Sequence, residues 1–125
     1  MNMNKKPLIL AVDDIPVNTT LLKSQLRFSN YDIITASNGK EALEKIASDH
    51  PDAVLLDIMM PEMDGFETLD AIRSNPETEN LPVIMLTSLS EFEHHANATM
   101  KGATGYLTKP LVTSQLIETL DKLFE

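Results

Sequence analysis

Five short apolar runs, spaced along the chain by segments of helix length, constrain this sequence more than any other feature. They stand at Leu8–Val12, Asp32–Ala36, Ala53–Leu56, Val83–Leu86 and Gly105–Leu107. Each is brief and mostly apolar throughout, the pattern of strands covered on both faces rather than half-exposed ones. Between and after them, apolar residues recur at helical spacing: Val17, Leu21, Leu22 and Leu26; Ala42, Leu43, Ile46 and Ala47; Phe66, Leu69 and Ile72; Leu116, Ile117, Leu120 and Phe124. A further helix is expected at about 91–101, marked more weakly by Phe92, Ala96 and Met100.

Local start and stop signals agree with this division. Asn38 precedes Glu41, Asp64 precedes Glu67 and Ser90 precedes Glu93, each a capping side chain three residues ahead of an acidic one. Pro51 and Pro82 stand just ahead of strands, where a helix cannot continue. Strands alternating with helices imply an α/β domain built on a parallel sheet. Right-handed crossovers then bring every strand's carboxyl end to one edge, where ligands of such folds bind.

The residues at those ends carry the chemistry. The first strand runs into Asp13-Asp14, the third into Asp57, the fourth into Thr87-Ser88, and the fifth is followed by Lys109-Pro110. Three carboxylates at one edge repel one another unless a cation compensates them. Mg²⁺ is the natural partner, because it takes a few carboxylates and is completed by water or phosphate oxygens. An ammonium from Lys109 and a hydroxyl from Thr87 complete a set able to hold a phosphoryl group.

Composition removes several alternatives. The chain has 125 residues, room for one domain, and its net charge of −9 disfavours nucleic acid as a direct partner. It has no cysteine, hence no disulfide scaffold, thiol nucleophile or cysteine zinc site. Neither a secretory signal nor an apolar run of membrane-spanning length is visible, so a cytoplasmic protein is expected. No glycine-rich nucleotide fingerprint follows the first strand. His94 and His95 are helical neighbours pointing about 100° apart, an arrangement of solvated side chains rather than a metal face. Met59, Met60 and Met63 read as loop packing rather than a copper site.

The chain resembles the receiver domains of two-component response regulators. The resemblance rests on Val12-Asp13-Asp14, on Leu56-Asp57-Ile58-Met59-Met60-Pro61-Glu62-Met63-Asp64-Gly65, on Leu86-Thr87-Ser88, and on Gly102 through Tyr106 to Lys109-Pro110. It implies a flavodoxin-like, doubly wound, five-stranded parallel sheet of order 2-1-3-4-5 with five helices, over residues 5–125 after a short extension at 1–4. It also implies that Asp57 is the phosphoacceptor, that Asp14 ligates Mg²⁺ directly and Asp13 through water, and that the Met59 backbone carbonyl completes the protein ligands. Mn²⁺ is the expected substitute metal. Lys109 pairs with the phosphoryl oxygens, Thr87 and Tyr106 act as the switch, and Lys109-Pro110 matches a cis bond.

The resemblance further implies a histidine kinase or phosphotransfer protein as donor, docking at Ile15, Pro16, Asn18, Leu22 and Pro110. A downstream protein is expected on the face formed by the fourth and fifth expected helices and the fifth strand, with no direct nucleic acid and no membrane. Such a domain is not an enzyme on an external substrate; it promotes its own phosphorylation and dephosphorylation. A Mg²⁺-dependent phosphohydrolase is disfavoured, because that class wants a second Asp where Met59 stands. A receiver-like scaffold without chemistry is disfavoured because the acidic pair, the acceptor and the lysine are all kept. Whether these residues stand alone or belong to a longer regulator stays open. Two departures bear on lifetime: Met59 and Leu89, which flank the family's hydrolytic-water route, cannot orient a water, so a long-lived phosphoryl group is expected.

Overall fold

The computed structural model describes residues 6–88 and 102–125. Its strands are β1 (Leu8–Val12), β2 (Asp32–Ala36), β3 (Ala53–Asp57), β4 (Val83–Thr87) and β5 (Gly105–Thr108). They form one sheet in the order β2-β1-β3-β4-β5, every neighbouring pair parallel. The helices among the described residues are α1 (Pro16–Leu26), α2 (Gly39–Asp49), α3 (Gly65–Ser74) and α4 (Thr113–Phe124). The helix expected at 91–101, its Ser90–Glu93 capping pair, the His94–His95 pair and Leu89 lie outside the described residues. So does the extension at 1–4.

Successive residues of the inner strands serve opposite faces. Leu10, Val12, Val54, Leu56, Val83 and Met85 pack with Ala42 and Ile46 of α2 and Leu69 and Ile72 of α3. Ile9, Ala11, Ala53, Leu55, Ile84 and Leu86 pack with Leu22 and Leu26 of α1 and Leu116 and Leu120 of α4. That division is why the inner strands read as unbroken apolar runs. The edge strands β2 and β5 are only partly covered.

Three strands run one residue past the apolar signal, because Asp57, Thr87 and Thr108 are polar yet remain in the ladder, with Asp57 opposite Leu86 and Thr87 opposite Thr108. Asp64 closes a full capping box with Glu67 at the start of α3. Asn38 caps α2 by accepting from the Glu41 N–H at 2.7 Å, whereas the Glu41 carboxylate accepts from Ser37 rather than returning to Asn38. In α1 only Leu22 and Leu26 are buried; Val17 and Leu21, which share their helical spacing, face outward.

At the far end of the sheet, the Tyr31 hydroxyl donates to Asp121 at 2.5 Å and its ring lies 5.9 Å from that of Phe124. This fastens the end of α4 beside the entry to β2. Arg73 of α3 donates to the carbonyls of Gly102 and Leu81 at 2.7 and 2.8 Å. No helix among the described residues is long and apolar enough to cross a membrane.

Candidate functional site

The register brings the ends of β1, β3 and β4 level. Val12 pairs with Leu56, and Asp57 with Leu86, so Asp13, Asp57 and Thr87 emerge together at one edge. Asp13, Asp14 and Asp57 can each offer a carboxylate oxygen within 4.8 Å of the others. Asp13 and Asp57 are buried, Asp57 to 5% exposure. Gly65, at the start of α3, presses against this edge: a Cβ there would stand 2.5 Å from the Asp57 carbonyl oxygen and 2.7 Å from Ile58 Cα.

Each acidic side chain has a different surrounding. Asp13 Oδ1 accepts from the Ile15 N–H at 2.9 Å, and Oδ2 accepts from Asn18 Nδ2 at 3.0 Å. Asp57 Oδ1 accepts from Lys109 Nζ at 2.7 Å, and the same ammonium lies 3.5 Å from Asp13 Oδ2. Asp14 Oδ1 is buried and meets no hydrogen-bond donor among the described residues. A buried oxygen left without a donor, beside two further carboxylates, is what a bound cation would satisfy. The residues therefore fit Mg²⁺, a hard ion matched to oxygen ligands.

Proton affinities follow from this crowding. Burial pushes the Asp57 carboxyl above its ordinary value; Lys109 pulls it back down, while the charges of Asp13 and Asp14 push it up again. Burial alone would lower Lys109, but its hydrogen bond to Asp57 and the charges of Asp57 and Asp13 outweigh that and raise it. Both members of the pair hold protons tightly, Asp57 chiefly because it is buried and Lys109 because of the carboxylates beside it. One ammonium faces three carboxylates, and the cluster is short of positive charge.

Thr87 is buried, and its hydroxyl donates to the Ser88 carbonyl at 3.0 Å. Tyr106, on β5 opposite Met85, is half-exposed. Lys109-Pro110 is cis. Beside Asp13 and Lys109 a cavity of about 560 Å³ opens between α1 and the loop after β5, its apolar wall including Leu21, Leu86, Pro110 and Leu111.

The residues named for donor docking separate here. Ile15, Pro16 and Pro110 are exposed. Leu22, only 3% exposed, belongs chiefly to the core and offers the cavity no more than an edge. Leu21, beside it in the chain, is exposed and also lines the cavity. Asn18 binds Asp13, a role that spacing did not reveal. Gln25, unmarked in the sequence, donates across the cavity mouth to the loop after β5.

Together the fold and site define a flavodoxin-like α/β domain with an acidic cation site at the carboxyl edge of its sheet. Residues 9–121 match the response regulator receiver domain family. The chain is 41% identical over 103 residues to the response regulator PleD of Caulobacter vibrioides, covering 82% of this chain and 23% of PleD. Response regulator TrrA of Thermotoga maritima, solved in complex with Mg²⁺-BeF, superposes with a TM-score of 0.84 at 37% identity, covering 94% of this chain and 98% of that one. The receiver domain of a Pseudomonas aeruginosa sensor histidine kinase, with a magnesium ion coordinated in its active-site cleft, gives a TM-score of 0.86 at 28% identity over 96% of this chain and 99% of that one. The chain belongs to the response regulator receiver domain family of two-component signalling. It spans less than half the length of the curated relatives it matches.

Proposed function

We propose that residues 5–125 form a receiver that accepts a phosphoryl group on Asp57 from a phosphohistidine of a histidine kinase or phosphotransfer protein. The observation that carries this reading is the buried Asp57 carboxylate, held at 2.7 Å by Lys109 beside the donorless oxygen of Asp14. An Asp57 oxygen attacks phosphorus, a P–O bond forms, and the P–N bond breaks with its electron pair returning to the imidazole nitrogen. Asp14, Asp13 through water, Asp57 and the Met59 carbonyl would hold Mg²⁺, or Mn²⁺ in its place. The ion would supply charge neutralisation on the transferring oxygens.

Lys109 then pairs with the new phosphoryl oxygens. Thr87 leaves the Ser88 carbonyl to donate to them, and Tyr106 turns into the space vacated. The phosphoryl group thus makes contacts available in one arrangement only, which shifts a pre-existing equilibrium. Ile15, Pro16, Asn18 and Pro110, with Leu21, form the donor's docking surface. A downstream protein would read β5, α4 and the segment 91–101. On this reading the domain promotes its own phosphorylation and dephosphorylation and turns over no external substrate.

Intact mass after incubation with Mg²⁺ and acetyl phosphate tests the proposal. Wild type should gain one phosphoryl group and Asp57→Ala none; a wild type that gains nothing would refute it.

A further inference from the structure

Gln25 lies on α1 at the mouth of the cavity, and its side-chain nitrogen reaches the loop that follows β5. It donates to the Leu111 carbonyl at 3.0 Å and to Thr113 Oγ1 at 3.1 Å, bridging residues 86 and 88 positions apart in sequence. The same loop begins at Lys109, whose N–H donates to the Thr87 carbonyl at 2.6 Å. The segment 109–113 is therefore tied to β4 at one end and to α1 at the other. Val112, the N-cap of α4, makes no side-chain cap, so the start of that helix draws no anchor from its own capping residue.

Lys109 reaches Asp57 from this loop. A lysine ammonium sits on a flexible four-carbon stem, so where it dwells depends on how firmly its backbone is held. Gln25 also suits the task chemically: both its partners can accept, and its amide nitrogen carries two donor hydrogens.

We infer that Gln25 is a positioning residue for phosphoryl transfer, acting through the loop that carries Lys109. The inference rests on the receiver reading above, with Asp57 as acceptor. The substitution Gln25→Glu keeps the shape but turns a carboxylate oxygen toward the Leu111 carbonyl. The substitution Gln25→Arg restores two donors.

The test measures phosphorylation by acetyl phosphate at saturating Mg²⁺, well below each variant's unfolding midpoint, with Mg²⁺ affinity followed by calorimetry. Gln25→Glu should be about three- to tenfold slower, a modest loss for a displaced charged group. Its Mg²⁺ dissociation constant should stay within about twofold of wild type, because Gln25 touches no carboxylate of the cluster. Gln25→Arg should recover the rate. Adding Gln25→Glu to Lys109→Ala should slow that variant no further, since residues acting through one contact are non-additive. Gln25→Leu, which removes the donors while keeping bulk, replaces Gln25→Glu should the latter fail to fold.

An unchanged rate in Gln25→Glu, or in Gln25→Leu where it takes its place, would overturn the inference, as would losses that add in the double variant. In either case Asp57 phosphorylation in wild type would still stand. A wild type that gains no phosphoryl group would instead defeat the receiver reading, and this role with it.

Discussion

Lys109 Nζ lies 2.7 Å from Asp57 Oδ1, so the ammonium already stands beside the carboxylate oxygen proposed to take the phosphoryl group. One cation nevertheless faces three carboxylates, and that imbalance adds to the burial that raises Asp57.

Asp57 should destabilise the metal-free fold at neutral pH. Its folded-state pKa is raised above the ordinary 3.8, first by burial, so the stability tied to its protonated form is fully present below that value and lost as pH rises through the raised one. Asp57→Asn should therefore raise the stability of the metal-free protein at pH 7 by on the order of 1 kcal/mol. Urea denaturation in EDTA would show it, with the gain shrinking toward pH 4; a lower midpoint for the variant contradicts the charge argument.

Mg²⁺ should stabilise wild type by linkage, by about 2.7 kcal/mol at a concentration of 100 times its dissociation constant. Asp14→Asn should abolish most of this gain, because Asp14 supplies the oxygen left without a donor. Thermal unfolding with and without the ion is the check. An equal shift in both proteins places the metal elsewhere.

Much of the fold and of the candidate site is legible in the sequence. The strand-end positions of Asp13, Asp14, Asp57 and Thr87 follow from inner runs whose two faces are both covered, because such strands carry few polar residues except where they end; Lys109, after the partly covered β5, is marked instead by the proline beside it. Elements that depend on tertiary contact were not readable. Val17 and Leu21 share the periodicity of Leu22 and Leu26, and spacing alone cannot say which stripe of α1 meets the sheet. The bonds from Asn18 to Asp13 and from Gln25 to Leu111 join residues whose nearness only the folded chain creates.

Gly65→Ala should destabilise the protein by about 3 kcal/mol, since the new methyl meets backbone atoms of Asp57 and Ile58 that cannot step aside as a flexible side chain would. Denaturant midpoints give the magnitude. Because the clash falls on the proposed acceptor residue, the phosphorylation rate of the folded fraction should fall as well. A fully active, equally stable variant would mean that α3 shifts at little cost.

Met59 is 62% exposed two residues after Asp57 and carries no group that holds a water. Together with Leu89 it should leave the phosphoryl group long-lived. Met59→Asn combined with Leu89→Glu should speed its loss roughly tenfold, the scale of gain from orienting a reactant. Following the mass of the phosphorylated protein over time decides it, and an unchanged half-life sinks the idea.

Because adjacent residues of one strand answer to different helices, the sheet works as a party wall between two separately furnished rooms. Ile9 and Leu10 are chain neighbours, yet one belongs to the α1 and α4 side and the other to the α2 and α3 side. Substitutions distributed across the wall should combine by simple addition, and those within one room should not. The side packed by α1 and α4 can thus drift in sequence without disturbing the packing behind α2 and α3.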